Sequence, residues 1–165
     1  MKKIEFSQFL IKFLGQPQPA IIQRHVYLWQ SSLESLLEVS PKGLYHVLDL
    51  HSLCKSIDKT PSSVTAARRI LSEAIQLWID QNYKTAHSQK ALAIIGIDML
   101  VRYQVPLGIF FQLANETSLV TFVVPASLHT FHPIKPLPNY IKFEPNQLFS
   151  YIKAQIPEDA VIGEE

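Results

Sequence analysis

Two aspartates lie where an α/β protein often carries its chemistry, at the ends of predicted strands. Asp98 follows the apolar run "ALAIIGI", and Asp49 lies near the end of "LYHVLDL". Asp98 could hold a magnesium ion through water, and the pair could form a two-carboxylate magnesium site of the nuclease type. A strand-end aspartate is more often a cap for the next helix or turn. Because Met99 follows Asp98 where an acid could activate water, the sequence favours the structural role.

A phosphate-binding partner for these acids would need a glycine-rich loop with a lysine, which together surround a phosphate with amides and positive charge. The first predicted strand-to-helix junction reads "YLWQSSLESLL", which contains no glycine and no lysine. Glu34 lies in the first turn of that helix, where its charge would repel phosphate, and Ser31 or Ser32 is expected to cap the helix. The sequence therefore disfavours ATP with magnesium, and we expect no cofactor, no metal and no catalytic residue.

The other reactive side chains form no recognisable site. The six histidines are scattered without a metal-binding spacing. Ser127 has no Gly-x-Ser-x-Gly motif around it, and Cys54 is expected to be a small buried residue. Arg68 and Arg69 are adjacent on a predicted helix and are candidates for contacting a phosphate or a partner's carboxylate. A solvated helix face is the simpler explanation for both arginines.

Composition indicates one ordinary globular domain, since 47% of the 165 residues are hydrophobic. The formal net charge of +1 does not indicate nucleic acid or an anionic membrane as a partner, although local patches remain open. The single cysteine allows no intramolecular disulfide, so we expect a cytoplasmic location. No run approaches the roughly 18 apolar residues of a membrane span, and the first residues make a poor secretion signal.

The first 15 residues predict an amphipathic helix, because Phe6, Phe9 and Phe13 recur at helical spacing. This helix could pack on its own domain or dock a partner, and Phe131 in a proline-rich segment is a further candidate docking residue. We expect a single α/β domain over 20–157 and a frayed acidic tail over 158–165. The clearest helix is predicted over 60–80, with Thr60 as its cap and Pro61 in its first position.

Strands and helices alternate along the chain. Strands are predicted at 20–29, 44–50, 91–98, 118–127 and 140–145, and helices at 31–40, 60–80, 105–116 and 146–156. Because several strands are apolar on both faces, the pattern favours a three-layer α/β fold with a mostly parallel sheet. The carboxyl ends of parallel strands share one edge, which is where such sheets bind ligands. That edge would carry Gln30, Asp49, Asp98 and Ser127.

The order of these segments resembles the core of P-loop NTPases. The segments that carry the resemblance are "LYHVLDLHSLCKSI", "TAARRILSEAI", "ALAIIGIDMLV" and "SLVTFVVPAS", and the last two take the places of the Walker B and sensor strands. More narrowly, the chain resembles the BrxF family, the small P-loop proteins of type-3 bacteriophage-exclusion (BREX) systems, over roughly residues 22–145. The family would imply nucleotide binding after the first strand, but "QSSLES" lacks every Walker A feature. The resemblance therefore implies a P-loop NTPase-like fold and an anti-phage context without ATPase activity.

These observations lead to one expected function and two alternatives. The leading hypothesis is a non-catalytic P-loop-like interaction subunit that docks onto a larger protein of the same system. The first alternative is an unconventional NTPase or a magnesium-dependent nuclease that uses Asp49 and Asp98. The second is a nucleic-acid-binding adaptor that would use Arg68, Arg69, Lys42 and Lys55 on phosphates.

Overall fold

The computed structural model describes residues 1–15, 25–57, 61–83, 89–124, 152 and 154–163, and its framework is a five-stranded sheet. The strands are β1 (Val26–Trp29), β2 (Tyr45–Asp49), β3 (Lys90–Ile95), β4 (Ser118–Val123) and β5 (Val161–Ile162). Their order across the sheet is β2-β3-β4-β1-β5, and every pair is parallel. The predicted α/β class and parallel sheet are confirmed.

Six α-helices that the structure describes from end to end flank this sheet. They are α1 (Lys3–Gly15), α2 (Leu33–Glu38), α3 (Leu50–Lys55), α4 (Val64–Asn82), α5 (Asp98–Arg102) and α6 (Gly108–Phe111). Alternate side chains of a strand point to opposite faces, so Val26 and Leu28 of β1 join one apolar core and Tyr27 and Trp29 join another. The core at Val26 and Leu28 is covered by α3, α4, α5 and α6, and the other is covered by α1 and α2.

The first helix belongs to the body of the domain. Phe6 and Phe13 are fully buried, and the Phe6 ring lies 4.9 Å from the ring of Tyr27. Phe9 is partly buried, with its ring 5.3 Å from the ring of His25. The sequence left open whether these three phenylalanines pack on their own domain or dock a partner. In the structure they pack on their own sheet, because burying that apolar stripe stabilises the fold.

Two helix predictions need correction at their boundaries. The long helix α4 begins at Val64 with Ser63 as its cap, the Ser63 hydroxyl accepting a hydrogen bond from the Ala66 amide at 3.1 Å. Pro61 therefore precedes the helix, and Thr60 lies outside the described residues. The helix expected over 105–116 is confined to the single turn of α6, and α3 is a helix that the sequence analysis did not predict.

The segment assigned to an acidic tail instead contributes to the sheet. Glu158–Ala160 form a 3-10 turn, and β5 then pairs with β1 through Leu28 with Val161 and Trp29 with Ile162. Because β1 accepts this additional strand, the tail prediction is wrong for residues 158–163. The strand predicted at 140–145 and most of the helix at 146–156 lie outside the described residues, as do Ser127 and Phe131.

Candidate functional site

The carboxyl edge of the sheet contains the position where parallel α/β sheets usually bind ligands. The chain leaves β1 through α2 on one face of the sheet, whereas Ile152 and Ile156, which precede β5, pack on the opposite face. Adjacent strands whose connections go to opposite faces open a crevice at their carboxyl ends. The strand order puts the position expected for such a crevice between β1 and β4, beside Gln30. The Gln30 amide donates to the Ile162 carbonyl at 3.0 Å and so ties β5 to this edge.

The junction that follows β1 is closed by its own side chains. The Trp29 indole donates to the Ser32 carbonyl at 3.1 Å and to the Ser35 hydroxyl at 3.0 Å. The Ser32 hydroxyl caps α2 by accepting from the Ser35 amide at 3.2 Å, and the Ser32 carbonyl also accepts from the Leu36 amide. Trp29 is fully buried, so its ring fills space beneath the turn. The Ser35 amide, which could face a phosphate, is instead used in capping, and the predicted cap at Ser32 is confirmed.

Asp49 acts as a helix cap. Its carboxylate accepts from the His51 amide at 3.0 Å, from the Ser52 amide at 3.3 Å and from the Ser52 hydroxyl at 2.9 Å. These bonds satisfy the donors that the first turn of α3 would otherwise leave unpaired. Asp49 therefore has a structural role at the edge of the sheet, because three hydrogen bonds hold its carboxylate against the first turn of α3.

Asp98 is the centre of a buried charged cluster. Its side chain is fully buried, and Oδ1 lies 2.6 Å from Nε2 of His51 while Oδ2 lies 3.0 Å from Nε of Arg102. Since a carboxylate only accepts, His51 must carry its hydrogen on Nε2. The contact with Arg102 is an ion pair rather than a well-aligned hydrogen bond. We call these three side chains the His51–Asp98–Arg102 cluster.

Burial dominates the electrostatics of this cluster. The Arg102 side chain is 1% exposed, and this burial lowers the pKa of its guanidinium, while the nearby Asp98 carboxylate opposes that shift. An arginine stays charged at any ordinary pH, so the buried charge requires the carboxylate beside it. The His51 ring remains 20% exposed and covers the carboxylate on its outer side. The cluster thus clamps α3 to α5 across the ends of β2 and β3.

Gly96 allows the turn after β3 to lie close against α3. Its φ of +72° is a backbone conformation that favours glycine, and a Cβ at this position would lie 2.9 Å from the backbone nitrogen of His51. The turn after β3 can therefore pass directly against α3. The sequence analysis did not select Gly96, His51 or Arg102. The four-residue spacing of Asp98 and Arg102 on a helix is a signal that could have identified their pairing.

The two candidate arginines have different roles in the structure. Arg68 donates from Nε to the Gln104 carbonyl at 2.9 Å, and it supports a residue whose φ is +52°. Arg69 is largely exposed and lies 3.8 Å from Glu73 one turn further along α4. Arg68 therefore braces the turn after α5, and Arg69 belongs to a solvated helix face of the kind that contributes little to stability.

Three searches for known relatives gave the same outcome. No protein-family model, no curated protein and no solved structure matches this chain. Across the described ranges, no three or more His, Cys, Asp or Glu side chains form a group that could hold a metal ion. The helices in the same ranges include none that is long and apolar enough to cross a membrane.

Proposed function

We propose that this chain is a non-catalytic, P-loop-like interaction subunit that acts by binding a larger protein, in the context of bacterial anti-phage defence. The proposal rests on one observation: the polar side chains at the carboxyl edge of the sheet are already bonded to other groups of the same chain. Asp49 caps α3, Asp98 is paired with two buried or half-buried bases, and the junction after β1 is closed by Trp29 and Ser32. An active site would need some of these groups directed towards a ligand.

The hydrogen bonds at the junction after β1 argue against the usual P-loop mode of nucleotide binding. In a P-loop, several consecutive amides point at the phosphate, and a lysine supplies positive charge. Here the Ser35 and Leu36 amides bond to Ser32, and Glu34 places a negative charge on the first turn of the same helix. A phosphate at this position would have to break the capping bond between the Ser35 amide and the Ser32 hydroxyl and approach a like charge.

The alternative enzyme that would use Asp49 and Asp98 is less well supported. Two-metal or one-metal hydrolysis needs carboxylate oxygens that are open to the ion and to solvent. The Asp98 carboxylate is fully buried and is already shared between His51 and Arg102. Recruiting it to a metal would draw this carboxylate away from the buried Arg102 charge, which is costly.

The defence context rests on the resemblance to the BrxF family, which is carried by segments of this chain that include "LDLHSLCKSI" and "ALAIIGIDML". The parallel sheet supports this proposal because it has the class of architecture that the resemblance implies. In this reading the scaffold has kept its layers and has lost its phosphate cradle. Its role would then be to bind a larger protein of the same system.

The proposal is tested by calorimetric titration of the full chain with ATP and magnesium, together with an ATP hydrolysis assay. We expect no saturable binding up to millimolar ATP. Micromolar binding, or turnover that disappears in Asp98→Asn but persists in Asp49→Asn, would overturn the proposal. Both variants are to be assayed at a temperature at which circular dichroism shows them folded, since Asp98→Asn removes a buried charge.

The interaction role needs a separate measurement. The untagged chain is co-expressed with each tagged product of the neighbouring genes, and the complexes are analysed by size-exclusion chromatography with light scattering. We expect one large partner to form a complex of fixed stoichiometry. Failure of every neighbouring protein to form such a complex would contradict the interaction role, even if nucleotide binding is absent.

A further inference from the structure

The two edges of the sheet differ in how well they are protected. At one edge β5 is only two residues long, and the terminal nitrogen of Met1 donates to its Val161 carbonyl at 2.9 Å. At the other edge β2 has five residues, with no lysine, arginine or proline among them. Proteins usually block an open edge by shortness, charge, proline or a covering segment, because an open edge pairs with other strands. β5 is protected in two of these ways, whereas β2 is neither short nor interrupted by proline or a basic residue.

Alternate residues of β2 direct their backbone groups away from the sheet. The Ala91 amide of β3 donates to the Leu44 carbonyl at 3.1 Å, and β2 and β3 then pair in parallel register. Neighbouring residues of a strand turn their N–H and C=O groups to opposite sides. The even-numbered residues of β2 therefore bond to β3, and the odd-numbered residues, Tyr45, Val47 and Asp49, face outward.

Four outward groups form an array to which another extended backbone could bond. They are the Tyr45 carbonyl, the Val47 amide, the Val47 carbonyl and the Asp49 amide. The Asp49 carbonyl is excluded, because Asp49 is the N-cap of α3 and its carbonyl accepts the first bond of that helix. Across the part of the chain that the structure describes, none of the four groups makes a hydrogen bond. Such an array recognises an extended polypeptide, because a strand presents donors and acceptors at the same spacing.

The polar side chains of β2 are engaged within their own domain and leave the backbone edge accessible. The Tyr45 hydroxyl lies 2.8 Å from the Thr121 hydroxyl on β4, so its side chain crosses the face of the sheet. The His46 ring packs edge-on against Tyr83, with 5.7 Å between the ring centroids. The Asp49 carboxylate caps α3. Only one of the five residues of β2 is buried, against all six of β4, as expected for a strand with one open side.

We infer that β2 pairs with β2 of a second copy of this chain, antiparallel and about a twofold axis at Val47. In an antiparallel pair two opposed residues exchange both of their hydrogen bonds, and the next such pair lies two residues along. When Val47 lies opposite Val47 of the second copy, Asp49 lies opposite Tyr45. Two hydrogen bonds then join the Val47 residues, and each Asp49 amide donates to the Tyr45 carbonyl of the other copy. All four outward groups of each copy are satisfied.

The array complements itself because Val47 is the middle one of the three outward residues. A twofold contact brings the same patch of both copies together, so donors must meet acceptors across the axis, as they do here. The two valine side chains lie side by side, and paired β-branched residues stabilise a sheet. Asp49 faces Tyr45, so no like charges are directly opposed. Each copy uses β2 once and its β5 edge is protected, so the assembly closes at two copies.

This inference does not depend on the proposed function. The β2 edge lies on the opposite side of the sheet from β5, and the junction after β1 is remote from it. A dimer could therefore form whether or not the chain binds a larger protein. Dimerisation and binding to neighbouring gene products are measured separately, so either idea can fail alone.

The test combines sedimentation velocity of the full chain with residue-resolved hydrogen exchange by NMR, both over a series of concentrations. We expect a monomer–dimer equilibrium in which the amides of Val47 and Asp49 exchange more slowly as the dimer forms. The amides of His46 and Leu48 are the internal reference. They bond to β3 within one copy, so they should be protected at every concentration.

A proline at the twofold axis tests the pairing directly. Val47→Pro removes one outward amide and no bond to β3, and proline is tolerated on an edge strand where its nitrogen faces outward. Because both central hydrogen bonds are lost, the dimer dissociation constant should rise by about tenfold or more. Val47→Thr is the matched control, since it keeps the amide and the β-branched shape, and it should leave the constant unchanged. Circular dichroism verifies that both variants keep the fold.

The wild-type measurements decide the matter even if Val47→Pro fails to fold. A chain that stays a monomer at every concentration overturns the inference. So does a dimer in which the amides of Val47 and Asp49 exchange as fast as in the monomer, and so do assemblies larger than two copies. A monomer that protects these two amides only when a neighbouring gene product is bound would assign the edge to that partner and would also overturn it.

Discussion

Removing the charge of Asp98 should destabilise the protein far more than the same change at Asp49. Asp98→Asn keeps the size of the side chain and an oxygen that His51 can donate to, but it removes the carboxylate charge that lies beside the buried Arg102 guanidinium. Both members of that pair are buried, at 0% and 1% exposure. Breaking a buried ion pair by removing one partner costs about 3–5 kcal/mol, which is a large fraction of the total stability of a domain.

The same carboxylate-to-amide change at Asp49 is the matched control. Asparagine caps helices about as well as aspartate, so Asp49→Asn should cost only a few tenths of a kcal/mol. A second variant, Asp98→Asn/Arg102→Met, removes the Arg102 charge as well. Replacing both members of a buried pair is often close to neutral, so this variant should recover at least half of the loss.

Urea denaturation followed by circular dichroism and tryptophan fluorescence measures these differences. For a chain of this size 1 kcal/mol corresponds to about 2–4 °C in Tm, so Asp98→Asn should lower Tm by about 6–20 °C. Equal slopes of free energy against urea would show that the variants unfold in the same way. If Asp98→Asn is within about 1 kcal/mol of the wild type, the buried ion pair does not have the role assigned to it.

Three other changes test the local structure. Gly96→Ala should lower the free energy of unfolding, measured by urea denaturation, by at least about 2 kcal/mol, because the added Cβ meets both an unfavourable positive φ and the backbone of His51. Gly43→Ala is the control, since Gly43 has a φ of +78° but open space around the added Cβ, and it should cost about 1–2 kcal/mol. Equal losses in the two variants would contradict the clash at Gly96. Burial raises the pKa of Tyr27 and of Tyr83 from 10.0 to about 12. Between about pH 10 and 12 the folded state therefore binds more protons at these tyrosines than the unfolded state does, and stability should fall as the pH rises. A free energy of unfolding that stays constant over that pH range would contradict this. Ser32→Ala should cost about 1 kcal/mol through loss of the α2 cap, and no change in denaturation midpoint would contradict the capping.

The architecture could be read from the sequence where apolar runs are long. The runs that become β3 and β4 are apolar on both faces, which is typical of a parallel sheet covered by helices, and both strands are buried in the structure. Asp49 was predicted near a strand end, and it is the last residue of β2, where it also caps α3. Local patterns of this kind depend on neighbouring residues, so the sequence displays them directly.

The remaining features depend on contacts between distant residues. β5 is only two residues long, too short for any periodic pattern, and it is a strand because β1 offers a free edge. The sequence favoured a cap for Asp98, but this residue forms an ion pair with Arg102 and bonds to His51, which lies 47 positions earlier in the chain. Nothing local to either segment predicts that contact, because the fold alone brings the ends of β2 and β3 together.

The order of the strands across the sheet affects the order in which they can pair during folding. β1 is enclosed between β4 and β5, so both of its partners come from much later in the chain, with Val26 beside Val120 and Leu28 beside Val161. During synthesis the first strand to emerge therefore has no partner until most of the other described elements exist. Such long-range pairing makes folding slow and leaves an apolar segment exposed in the meantime. We expect the β2-β3-β4 half of the sheet to assemble first, with β1 and α1 completing it afterwards.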